Sequence, residues 1–334
     1  RNIVNYYSKK TGFNVDNINW YYAFGAFKLA VILQQIFIRF KKGHTKDTRF
    51  ANFDNSVVKC TRLGLTLFIY IIRNGCGYIN KKIIELEDLL ALADQMVSDG
   101  NTPFCIGLGS GGATGWPATD WMEDIMLRTH SPDVYDMWVS NEMPFNDPRV
   151  LEAMDFFGSI ALNDSYVNGG SKAVATTDFR DAPNGLFTSP AECMMHRQAS
   201  FIPAFFPEGV EAGVDYDFFY FPAFAGKDLG TPVLGAGTLV AATNDNAATI
   251  EFMKFLMHPE PHEYWMAKGG FLTPHKGVDG SKYASDTFRK LGEILTGATT
   301  FRFDASDLMP GAIGAGTFWT GMVDYTNGKS AKDV

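Results

Sequence analysis

Residues 110 to 124, SGGATGWPATDWMED, gather three glycines, two tryptophans and three acids into fifteen positions. Glycine lets a ligand approach the backbone closely, and Gly112 is the third residue of the run. Trp116 and Trp121 offer flat apolar faces with an N–H edge, a surface suited to the C–H faces of sugar rings. Ser110, Thr114 and Asp120 stand nearby as hydrogen-bonding partners for hydroxyls. The plain alternative is that a tryptophan simply packs in the core. It weighs more on Trp121, which falls within a predicted helix, than on Trp116, which is held between Gly115 and Pro117.

A second group lies in TTDFRDAPNGLFTSP, where Asp178, Arg180, Asp181 and Asn184 share one loop. A carboxylate beside an arginine holds hydroxyls in bidentate fashion, and equally forms an ordinary surface ion pair. Asp178 with Asp181, or Asp120 with Glu123, are the acid and base that a glycoside hydrolase would need, but sequence does not set their separation. The four cysteines, at 60, 76, 105 and 193, contain no C-x-x-C pair, which argues against zinc. A Cys105–Cys193 disulfide is open to the chain in an oxidising compartment. The six histidines form no H-E-x-x-H motif, and the glycines of GLGSGGATG are not followed by G-K-S/T. Neither a metal, a nucleotide nor another cofactor is expected.

Alternating elements must position these residues. IELEDLLALADQMVSDG sets Leu86, Leu89, Leu90, Ala93, Met96 and Val97 at helical spacing, with Gly100 as the stop. TPFCIGLG reads as a short buried strand, the glycine turn follows, and DWMEDIMLRT reads as a helix with acids in its first turn. Helices are also predicted over DPRVLEAMDFFGSIAL and NAATIEFMKFLMHPE, with strands around DFFYFPAF and VLGAGTLVAAT. The class is α/β. Earlier in the chain, NWYYAFGAFKLAVILQQIFIRFKKG is an apolar core helix ending in Lys41, Lys42 and Gly43, and RLGLTLFIYII is a helix or a strand.

The 334 residues carry a net charge of −8, but unevenly. Residues 1 to 83 hold 14 Lys and Arg against 3 Asp, whereas the remainder holds 15 Lys and Arg against 34 acids and all 13 methionines. Asn, Ile and Lys make 28 of the first 83 residues and only 26 of the other 251. Such a shift marks 1–83 as a foreign-looking basic helical segment joined to 84–334; the bland alternative is one protein with a basic arm, able to bind nucleic acid or anionic membrane. No stretch has the length of a membrane span, and RNIVNYYSKK is not a signal peptide.

Seven ordered blocks in residues 84–334 resemble the extracellular solute-binding proteins of carbohydrate ABC importers, the alpha-glucoside type in particular. They are ELEDLLALADQMVSDGNTPFCIG, GGATGWPATDWMEDIMLRT, TTDFRD, CMMHRQASFIPAFFPEG, VLGAGTLV, EFMKFLMHPEPHEYWMAKGGFLTPHKG and GTFWTGMVDYTNGK. The resemblance implies a type II periplasmic-binding-protein fold of two α/β lobes that closes on a sugar and delivers it to permease subunits outside the cytoplasmic membrane. It implies a non-enzymatic protein with no nucleic-acid partner. Ser110 to Trp116 would face the sugar cleft, Phe201 would occupy a stacking position, and Arg197, Gln198 and Asp178 would supply hydrogen bonds. Gly235 and Gly237 would line a crossing segment, Trp319 would be a further stacking residue, and Cys105 and Cys193 would be a recurrent pair. In that family the helix ending at Gly100 comes after most of the first lobe, so a truncated first lobe and an incomplete cleft are expected, with loss of activity a consequence to test. Residues 14–53 resemble the C-terminal tail of aminoglycoside and choline kinase-like phosphotransferases, without their His-x-Asp loop. The competing reading is therefore an enzyme remnant, a glycoside hydrolase or phosphotransferase.

Overall fold

The computed structural model of the chain describes residues 9–10, 61–73, 78, 83 and 85–334. The apolar helix expected over 19–43 and the phosphotransferase-like stretch 14–53 lie outside the described residues. The chain divides into two compact units, one of residues 1–65 with 237–292, the other of residues 66–236 with 293–334. These units are set by packing, whereas the break near residue 83 is one of composition.

RLGLTLFIYII, ambiguous in sequence, is extended. It lies in β1 (Thr61–Arg73), whose run of β-branched residues suits a pleated strand. The chain then enters α1 (Leu86–Ser98), which opens with a reciprocal capping box between Glu85 and Asp88 and buries Leu86, Leu89, Leu92, Ala93 and Met96. Leu90 is only half-buried, because the buried stripe runs through Leu92 instead. TPFCIGLG does not form a strand. Phe104 makes isolated bridges to Val167 and Met195, and the segment's N–H groups reach scattered carbonyls rather than a ladder.

α2 (Trp116–Thr129) begins four residues before the predicted DWMEDIMLRT helix, with Pro117 in its first turn, and is buried from Pro117 through Arg128. α3 (Pro132–Val139) and α4 (Pro148–Ala161) follow; the Asp147 side chain caps α4 by accepting from the Arg149 N–H. A short helix, α5 (Ser171–Val174), leads toward the TTDFRD loop, and β2 (Met195–Ala199) and β3 (Tyr216–Phe219) both pair antiparallel with β1. The register sets Tyr70 opposite Arg197 and Ile69 opposite Gln198.

β4 (Pro232–Val240) passes from the larger unit to the smaller between Ala236 and Gly237. It is followed by α6 (Ala247–Leu256), α7 (Pro259–Met266) and α8 (Asp286–Gly297). β5 (Thr300–Phe303) then runs parallel to β4, from Pro232 opposite Thr300 to Gly235 opposite Phe303. The strand order is β2-β1-β4-β5, with β3 also on β1. α9 (Ala305–Leu308), a π-helical turn (Ile313–Phe318) and α10 (Trp319–Thr326) complete the described chain.

The core of the larger unit is built on Trp121, Trp138, Tyr135, Phe104, Phe157 and Phe221. In the smaller unit, Trp265 stacks on Phe271 at 5.0 Å, and buried His262 bonds both the Leu256 carbonyl and the Thr273 hydroxyl. Among the described residues, no helix is long and apolar enough to cross a membrane.

Candidate functional site

The site grows out of two loops that glycines allow to touch. A Cβ on Gly107 or Gly109 would lie 2.7 or 2.9 Å from the Thr177 carbonyl oxygen, so only glycine permits this approach. Gly109 donates to the Thr177 carbonyl and accepts from the Phe179 N–H, both at 2.9 Å. The loop after residue 109 is thereby fixed beside Asp178, Phe179 and Arg180. Within it, the Thr114 hydroxyl donates to the Gly111 carbonyl at 2.8 Å and accepts the Ser110 N–H at 3.0 Å. Gly112 is exposed at the tip. Gly115 ends the loop with φ +112°, a conformation L side chains avoid, and a Cβ there would collide with the carbonyl of Trp319. Trp319, at the start of α10, is therefore brought against the loop.

Trp116 leaves this glycine half-buried and meets an aromatic cluster. Its ring lies 4.9 Å from Phe179, edge-on, and 6.2 Å from Phe201. Phe205 completes the group, 5.7 Å from Phe179 and 6.3 Å from Phe201. Phe201 and Phe205 are brought together by the 3₁₀ turn Ile202–Phe205. Phe205 is 42% exposed, and Trp116, Phe179 and Phe201 are half-buried, so the cluster reaches the surface of the larger unit. A protein gains nothing by leaving such a surface in water.

A polar rim adjoins it. Arg180 donates from Nε to Asp178 Oδ1 at 2.7 Å and from Nη2 to Oδ2 at 2.6 Å, and lies 5.6 Å from the Phe179 ring. The hydrogen bonds from the Arg180 side chain hold the Asp178 carboxyl down at about 2. This is a preformed fork of charge-assisted donors and acceptors beside an apolar platform. A separate surface pocket is lined by Phe187, Pro207, Glu208, Val210 and Asp215; the aromatic cluster lies outside it.

Other residues singled out from sequence lie elsewhere. Trp121 is 2% exposed and packs on Phe157 and Phe221 in the core, so the plain packing alternative holds there. Arg197 and Gln198 are buried, as are all five residues of β2. Arg197 Nη2 donates to Asp124 Oδ2 at 2.7 Å and to the Asp120 carbonyl at 2.8 Å, while Gln198 Oε1 accepts its neighbour's N–H, that of Ala199. Asp124 also pairs with buried Arg128. Gly235 is buried in β4 opposite Phe303, and Gly237 follows the unit boundary. Asp120 and Glu123 are fully buried, and burial raises both carboxyls well above their ordinary range, Asp304 adding to the effect. They lie with Asp304 in a tight triad. Asp120 and Glu123 are closed off from solvent, and Asp178 is engaged by Arg180.

Cys105 and Cys193 are joined, with Cα atoms 5.5 Å apart, tying the glycine-rich segment to the entry of β2. Sequence reasoning passed over Phe179 and Phe205. The signals were present: Phe179 sits between Asp178 and Arg180, and Phe205 lies four residues after Phe201.

No family model matches the chain. It is 59% identical over 250 residues to the alpha-glucosides-binding periplasmic protein AglE of Rhizobium meliloti, a match covering 75% of this chain and 55% of that protein. It is 45% identical over 248 residues to the osmoprotective compounds-binding protein GgtB of Synechocystis, covering 74% and 58%. The chain thus spans little more than half the length of these relatives. The fold is similar to that of the bacterial solute receptor AcbH, with a TM-score of 0.64 at 18% identity over 82% of this chain and 70% of that one. Over the three quarters of the chain that match, it is similar to these binding proteins, and its fold is that of the type II periplasmic sugar-binding proteins.

Proposed function

We propose that this chain binds a carbohydrate, an alpha-glucoside or other oligosaccharide, for delivery to the permease subunits of an ABC importer, in the periplasm or outside the cell, and that it makes and breaks no bonds. The observation that carries the reading is the surface cluster of Trp116, Phe179, Phe201 and Phe205 beside the Asp178–Arg180 fork. Aromatic faces take the C–H side of a pyranose, and a carboxylate–guanidinium pair takes its hydroxyls, so the two together fit a neutral polyol better than an ion or a purely apolar ligand. The relative AglE is an alpha-glucosides-binding protein, which supports that ligand class. Trp319, Ser110, Thr114 and Gly112 border the cluster in this proposal and shape the approach of the sugar. Trp121, Asp120, Arg197 and Gln198 act on it only through packing.

The test is calorimetric titration of the folded chain with maltose, trehalose and sucrose, with release of reducing sugar from a chromogenic glucoside measured alongside. Saturable binding without turnover supports the proposal. Turnover would favour the enzyme reading, and absence of binding by a folded chain to all three sugars would count against the assigned site.

A further inference from the structure

The interior of the larger unit holds an unbalanced set of charges that the sugar proposal does not use. Asp120 and Glu123 are one helical turn apart on α2, and Asp304 caps α9 directly after β5. They are 1%, 0% and 7% exposed, and a ligating oxygen from each lies within 4.8 Å of the others. Glu123 Oε1 accepts from the Ser306 N–H at 3.0 Å, and Asp304 Oδ1 accepts from the Ser306 hydroxyl at 2.7 Å and the Asp307 N–H at 3.0 Å. These bonds aim two of the carboxylates. The third, Asp120, points into the same space with both oxygens lacking any hydrogen-bond partner, as does Glu123 Oε2.

Buried carboxylates without partners are costly, and native structures compensate them. The nearby guanidiniums do not suffice. Asp124 takes ion pairs from both Arg128 and Arg197, and Arg197 also donates to the main-chain oxygen of Asp120. Both guanidiniums make their ion pairs with Asp124, while Asp120, Glu123 and Asp304 share one buried space with Asp307 close by.

We propose that Asp120, Glu123 and Asp304 hold a hard divalent cation of the calcium type. One such ion supplies the missing charge. Three carboxylates offer up to six oxygens, in the range calcium uses, whereas magnesium retains several waters that a closed site does not accommodate. Sequence reasoning expected no metal because the ligands come from helix α2 and from a position nearly two hundred residues later, with no motif spacing to reveal them. The burial implies that the ion is taken up as the unit folds.

The test uses the full chain, unfolded in urea with EDTA, desalted, and refolded with calcium chloride or in metal-free buffer. The expected result is one calcium per chain by elemental analysis, and a melting midpoint raised by roughly 5–10 °C at a calcium concentration about 100 times the Kd. Terbium refolded in calcium's place is expected to luminesce on tryptophan excitation, because Trp121 adjoins the site. Asp120→Asn, uncharged and of the same size, is expected to abolish both the luminescence and the calcium shift. A wild-type chain that refolds without bound metal and melts at the same temperature with and without calcium overturns the proposal. In that case the triad balances its charge with shared protons, and Asp120→Asn would melt at or above the wild type in either buffer. If the variant does not fold, the metal content of the wild type decides the matter.

Discussion

Phe205 carries the clearest single-residue prediction, because it is the most exposed member of the aromatic cluster and supports the least core. Phe205→Ala is expected to weaken sugar affinity about 5- to 10-fold, equivalent to ~1–1.4 kcal/mol of lost stacking, with the melting midpoint nearly unchanged. Calorimetry beside a thermal melt checks both halves. His196 makes a different prediction. Its ring donates from Nδ1 to the Cys105 carbonyl at 2.7 Å, and burial, aided by Arg197, lowers its pKa to about 4. The folded state therefore binds this proton more weakly than the unfolded chain does. The stability it contributes is complete above about pH 6.5 and is lost as pH falls toward 4, at about 1.4 kcal/mol per unit. His196→Gln is expected to remove that slope; identical urea midpoints against pH in both proteins would contradict it. At this scale, the flanking Gly115 and Pro117 were the signal that set Trp116 apart, and it stands half-buried in the aromatic cluster. The burial of Trp121, Arg197 and Gln198 was not legible, because whether a strand or helix face meets solvent depends on what covers it.

Among the elements, the junction of the glycine loop with α2 and α10 leaves no room for a side chain at Gly115. Gly115→Ala combines a positive φ with a collision at the Trp319 carbonyl, and is expected to destabilise by on the order of 3 kcal/mol or more and to abolish sugar binding. A urea titration of the variant measures the first effect. The Cys105–Cys193 link closes a loop with a sequence separation of 88, so reducing it, or replacing both cysteines with serine, is expected to cost about 2–5 kcal/mol. A melt with and without reductant checks this. Helices α1, α4 and α6 were legible from apolar spacing and capping residues. TPFCIGLG was not, because a buried apolar run looks like a strand whether its hydrogen bonds form a ladder or scatter, as they do around Phe104. The start of α2 was also missed: glycine before tryptophan suggested a loop, yet Gly115 caps the helix and Pro117 fits its first turn.

At the scale of the molecule, composition and packing draw different lines. The change in charge and methionine usage falls near residue 83, whereas the compact units divide within β1, β4 and α8. Composition records the kind of sequence, and packing records which segments bury one another; neither dictates the other. The resemblance to sugar-import binding proteins was legible because seven blocks kept their order over residues 84–334, and the matched relatives bear it out. The triad of Asp120, Glu123 and Asp304 was not, since only folding brings β5 to α2. The central claim is that the aromatic cluster takes a sugar. Its most direct test is a tryptophan-fluorescence titration of the wild type and Trp116→Phe with maltose, trehalose and sucrose. The expected result is a saturable emission change for at least one sugar in the wild type, lost or much reduced in Trp116→Phe while calorimetry still detects weakened binding. Full-strength binding with an identical emission change in both proteins would contradict it.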